Sequence, residues 1–159
     1  MTSIWVESIG RGIDQALDLL AGAVRDCADE LWETAMWRVP VPEPDRQFLG
    51  PDWNPITAPA ERRVLAQRWV ERWAAPWSVA WHALESVDYD LNGEFGPWTP
   101  PPPFAGHPHW RDLTNLPAPW SRAELLAYAD YCRQRAQTTL AGLTDEKAAT
   151  PLPPAHRYR

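Results

Sequence analysis

His82 shares a helical face with Ser78, Glu85 and Tyr89, a polar stripe running through a segment otherwise rich in tryptophan. Imidazole is a common ligand for zinc, nickel and iron, which makes His82 the candidate metal ligand of this chain. One ligand holds no ion, and a histidine among aromatic residues also serves as a hydrogen-bonded core residue; the residues alone leave both readings open. His82 and Glu85 stand three apart, superficially like half of a di-iron carboxylate arrangement, but the paired Glu-x-x-His motifs and additional glutamates of such a centre are absent. His107 and His109 flank Pro108, and a His-x-His pair joins a metal site only where other ligands converge on it; no such set lies nearby. His156 sits in a proline-rich tail with no second histidine four residues on.

Cys27 and Cys132 fall inside helical patterns, where a thiol packs as a small apolar group rather than acting as a nucleophile or half of a disulfide. No Gly-rich phosphate loop, nucleophile elbow or Cys-x-x-Cys pair occurs, so phosphoryl transfer, elbow-type acyl transfer and thioredoxin-like redox chemistry lack support, and no catalytic residue is assigned. A net charge of −6 argues against nucleic acid as a partner, because binding to phosphates relies on Lys and Arg. No apolar run approaches the roughly 20 residues of a bilayer span, and residues 1–12 lack the basic start and apolar run of a secretory signal; the expectation is a cytoplasmic protein with no membrane partner.

The elements that must position these side chains are helical, in one domain over residues 1–159. Ile13, Leu17, Leu20, Val24, Cys27, Leu31 and Ala35 follow the spacing of a helix with one buried face, predicting a first helix over 12–38 that Pro40, Pro42 and Pro44 terminate. Thr57 is a plausible N-cap and Pro59 suits a first turn, so a second helix is expected over 59–92. Within it Trp69, Trp73, Trp77 and Trp81 recur every fourth residue as core, and Pro76 implies either a kink, the preferred reading, or two helices in succession. Eight prolines make 93–120 a long connection that drapes across the surface, with Trp98, Phe104 and Trp110 as anchors; a polyproline ligand for an SH3-type module is the other reading. Ser121 and Glu124 form a capping box, with Trp120 and Leu125 as a hydrophobic staple, opening a third helix over 121–142 whose inner face includes Leu125, Tyr128, Ala129, Cys132 and Ala136. Gly142 ends it, a short turn over 144–149 follows, and 150–159 is an irregular tail. Three long helices, no strands and a long Pro-rich connection make the fold class all-α, a helical bundle in which a fourth face is missing.

The stretch Trp77-Ser78-Val79-Ala80-Trp81-His82-Ala83-Leu84 followed by Asp88-Tyr89-Asp90-Leu91-Asn92-Gly93 resembles the second-helix signature of DinB-like proteins. Glu124-Leu125-Leu126-Ala127-Tyr128, Tyr131-Cys132-Arg133 and Leu143-Thr144-Asp145-Glu146-Lys147-Ala148 are similar to that family's third helix and the turn leading to its fourth. The resemblance is specific from about Trp77 to Ala149 and diffuse over the first helix. It implies a four-helix bundle with a divalent metal (zinc, nickel or iron) held by three histidines, one on the second helix, which His82 matches, and two spaced four apart on the fourth. The chain offers no counterpart of those two, so it reads as a truncated member or one that has lost the site, with the metal position unfilled. The implied activity is that of a metal-dependent thiol S-transferase or hydrolase acting on a small-molecule thiol or an electrophilic substrate. The alternative is a non-catalytic module that binds an apolar small molecule or a partner subunit through its Trp-rich face and self-associates as a homo-oligomer, a dimer in the simplest case.

Overall fold

The structure, a computed structural model, describes residues 4–38, 59–91, 98–105 and 118–151. Helix α1 spans Ile4–Asp26. Val6, Leu17 and Val24 lie buried on one stripe with Ile13 and Leu20 packed alongside. The helix therefore starts earlier than the expected 12–38, because Val6 continues the inward stripe, and it also stops earlier. Ala28 turns extended (φ −63°, ψ 146°) and opens a 3-10 turn over Asp29–Leu31. The carboxyl end of α1 is held by Arg122, whose guanidinium donates to the carbonyls of Val24 (3.2 Å) and Cys27 (2.6 Å), satisfying acceptors that a helix terminus leaves bare. After the break Trp32, rather than Leu31, turns inward, donating to the carbonyl of Trp120 at 3.0 Å, while Leu31 is exposed.

Helix α2 (Pro59–Trp73) and helix α3 (Pro76–Leu91) are two helices in succession, correcting the single kinked helix over 59–92. Ala75 N–H still reaches the carbonyl of Arg72 (3.3 Å), but Pro76 has no N–H to carry the ladder onward. Ser78 and Val79 N–H instead turn to the Ala75 carbonyl at 3.0 and 3.1 Å, so Pro76 occupies the first turn of a new helix, where its missing donor costs nothing. Of the tryptophan series, Trp77 and Trp81 are core and Trp73 is half-buried; the side chain of Trp69 lies outside the described residues, as do Thr57 and Trp110.

Helix α4 (Arg122–Ala141) matches the expected third helix. Ser121 Oγ accepts from Glu124 N–H, and the Glu124 carboxylate accepts from Ser121 N–H at 2.8 Å, so the box closes from both sides. Gly142 caps the other end, and Thr144 caps the short helix α5 (Asp145–Ala149). The indole of Trp5 donates to Asp145 at 2.8 Å, tying the start of α1 to α5.

α4 is the centre of the packing: α1 and α3 each lie along it, meet one another only slightly, and α2 touches α3 at one end. Leu17, Val24, Trp77, Trp81, Leu84, Leu125, Tyr128 and Cys132 form one continuous core. Burying a side chain such as Leu84 contributes roughly 1.5–3 kcal/mol. Arg133 of α4 reaches Asp14 (3.0 Å) and Asp18 (2.6 Å) of α1, fixing the register of that pair at the surface. No strand occurs among the described residues, so the all-α class holds, and none of the described helices is long and apolar enough to cross a membrane.

Candidate functional site

The polar stripe read from the sequence splits in three dimensions. Ser78 is buried, Glu85 and Tyr89 are half-buried, and His82 stands outward with its side chain 65% exposed. The reading of His82 as a hydrogen-bonded core residue is thus corrected: Trp77, Trp81, Leu84 and Asp88 take the inward arc of α3, and His82 falls on its flank. There its Nδ1 lies 3.5 Å from Glu85 Oε2, and the ring meets Trp73 edge-on at 6.1 Å between centroids. Among the described residues no three His, Cys, Asp or Glu side chains gather as metal donors. His107, His109 and His156 lie outside the described residues. His82 and Glu85 by themselves do not fit a divalent ion, which needs three or four protein donors to compete with water.

What the fold does bring together is a polar cluster inside the core. Asp88 is fully buried, at the position on α3 one heptad beyond Trp81. Its Oδ2 accepts from the Tyr128 hydroxyl (3.1 Å) and from Trp98 Nε1 (3.2 Å), and its Oδ1 accepts from the Arg135 guanidinium. Tyr128 and Arg135 stand seven residues apart on α4, on the stripe that faces α3. Trp98 comes from the Pro-rich connection and meets Tyr89 edge-on at 5.6 Å. Phe104, from the same connection, is buried, stacks on Tyr128 at 4.4 Å and meets Trp120 at a tilt at 4.5 Å. The anchoring expected of Trp98 and Phe104 is therefore observed, and both rest on the same cluster.

This environment sets the protonation of its neighbours. Burial first, then the Asp88 carboxylate, push the Tyr128 phenol far above its ordinary value, so it remains a hydrogen-bond donor. Burial and Asp88 likewise push the Cys132 thiol up to about 12, against an opposing pull from Arg135. Cys132, in contact with the carbonyl of Leu84 at 3.6 Å, packs as the sequence suggested, and Cys27 and Cys132 are both free thiols.

Sequence reasoning passed over Asp88, Tyr128 and Arg135 as a set. The signal was present: Trp77, Trp81, Leu84 and Asp88 form one inward stripe, and a carboxylate on such a stripe requires donors from the helix it faces. Comparison of the chain with known protein families, with curated proteins and with solved structures found no match.

Proposed function

We propose that this chain is a DinB-like helical-bundle domain in which α1, α3 and α4 are three of four bundle helices, and that the whole protein is a metal-dependent thiol S-transferase or hydrolase using His82 as one ligand. The observation that supports this is the arrangement of the three helices. α4 is flanked by α1 and α3, which meet one another only slightly, as two helices that share a neighbour in a four-membered bundle do. The residues at the edges of that arrangement fit the reading. His82 stands on a flank of α3 with Glu85 beside it, where a further helix bearing donors could complete a coordination sphere. No chemical step is assigned to a metal, since the described donors stop at these two.

The test is metal analysis of the natural full-length protein beside its His82→Ala variant, by plasma mass spectrometry after desalting. The expected outcome is a divalent ion in the first and at least the roughly 10-fold weaker retention that loss of even an outer-sphere partner brings in the second. Equal metal content would remove His82 from the site.

A second reading rests on a different observation. Trp77 and Trp81 are core, and the exposed apolar residues are spread over several segments, among them Ile4, Ile9 and Leu19 on α1 and Leu31, Met36 and Trp37 just after it. A non-catalytic module that covers those on α1 with another subunit accounts for their exposure.

A further inference from the structure

Helix α1 carries a second apolar stripe beside the one it buries. Ile9, Gly12, Ala16, Leu19 and Ala23 are spaced three and four apart and fall within an arc of about 80° on a helix of about 3.6 residues per turn. All of them are exposed, Leu19 by 77% and Ile9 by 47%, whereas Ile13 and Leu20, between this stripe and the core, are half-buried. The apolar arc of α1 is thus wider than α3 and α4 cover, and its spacing is that of a seam between paired helices. The glycines distinguish the two sides. A side chain at Gly10 would meet Leu140 of α4 at 3.4 Å, so packing within the chain explains the glycine there, but one at Gly12 would meet nothing within 4 Å. A glycine inside a helix costs about 0.5–1 kcal/mol relative to alanine, and nothing in the described chain asks for one at Gly12. Such a residue fits a place where another backbone comes close.

We infer, from the reading that another subunit covers α1, that this subunit is a second copy of the chain, its α1 lying antiparallel on the same seam about a two-fold axis. The residues are self-complementary in that arrangement. With Ile9 opposite Leu19 of the second copy, Gly12 falls opposite Ala16, so the larger side chains meet at the two ends and the small ones let the backbones close in between. Each contact occurs twice, as a two-fold pair requires. Charge permits the pairing as well. The chain carries a net −6, yet Ser8, Gln15 and Gly22, which edge the seam on its solvent side, are uncharged, so no like charges are forced together, and antiparallel helices oppose their dipoles. From Ile9 to Ala23 the seam is only about 21 Å long at about 1.5 Å per residue. The contact therefore lies at or below the small end of the roughly 1,200–2,000 Å² of standard interfaces and holds at micromolar strength.

Gly12→Leu tests the close approach without endangering the fold, because the monomer has room for the side chain and leucine is the better helix former. In sedimentation equilibrium the wild type is expected to show a monomer–dimer equilibrium with a micromolar dissociation constant. Gly12→Leu is expected to weaken it at least about 10-fold, with helix content and thermal midpoint undiminished. Orientation is read by cross-linking in a Cys27→Ser background, Cys132 being fully buried. A mixture of Ile9→Cys and Leu19→Cys chains is expected to oxidise to a disulfide-linked dimer of one of each. Either variant alone is expected to link little, since its two copies stand roughly 15 Å apart along the antiparallel axis, beyond disulfide reach. A wild type that stays monomeric up to about 200 µM overturns the proposal together with the reading it rests on. A dimer indifferent to Gly12→Leu, or Leu19→Cys linking to itself as readily as to Ile9→Cys, overturns the antiparallel seam and leaves that reading standing.

Discussion

The two cysteines differ in one residue property that chemistry can read directly. Cys132 is fully buried and its thiol is pushed up to about 12, so at pH 8 it stays a thiol. Cys27 lies half-buried at the end of α1, its Sγ near the carbonyl of Ala28. Brief treatment of the native protein with iodoacetamide at pH 8 is expected to add one carbamidomethyl group, at Cys27, and two after unfolding; a doubly modified native protein, seen by intact mass, would refute the burial of Cys132. The same shift sets a pH dependence. A thiol raised from its ordinary 9.0 contributes stability that is complete below pH 9 and is lost as pH climbs toward 12, because the unfolded chain ionises first.

Among the elements, α4 carries the two most extensive interfaces of the described helices, so its start matters beyond its own first turn. Ser121 and Glu124 satisfy donors there reciprocally, and the hydrogen bonds from the Ser121 side chain and backbone hold the Glu124 carboxyl below its usual range. Ser121→Ala is expected to lower stability by about 1 kcal/mol, read as a shift of the urea midpoint with unchanged slope, and Ser121→Thr to restore most of it. Glu124 is lowered in the folded state, so its part of the cap is present above its ordinary pKa of 4.5 and fades as pH falls through the lowered value. The gap between wild type and Ser121→Ala should therefore narrow in strong acid. A gap that stays constant from pH 7 to pH 3 would mean that Glu124 plays no part in the cap.

At the scale of the molecule, the three principal helices leave Leu19 of α1 exposed among the described residues, with Ile4 and Ile9 exposed nearer its start. Exposed apolar surface of this kind is removed from water by association when nothing else covers it. The 159-residue chain is expected to sediment as a dimer at micromolar concentration, and Leu19→Glu to shift it to monomer without loss of helix content. A compact wild-type monomer across that range would count against association through this part of α1.

Much of the architecture was legible in the residues because its signals are local. Hydrophobic periodicity found the existence of α1 but not its bounds and placed α4, the Ser121-x-x-Glu124 spacing placed the start of α4, and Pro76 marked the place where the backbone must change, although its preferred reading as a kink gave way to a break between α2 and α3. Periodicity fixes which residues share a face, but not which of two adjoining arcs turns inward; that depends on how neighbouring helices approach, and it sent His82 outward and Asp88 inward from the same helix. The end of α1 was likewise set from afar, by Arg122 meeting its last carbonyls. The union of Asp88 with Tyr128, Arg135 and Trp98, ten to 47 residues away along the chain, belongs to the tertiary structure alone, because a buried carboxylate announces in sequence that it needs donors without saying which ones will arrive.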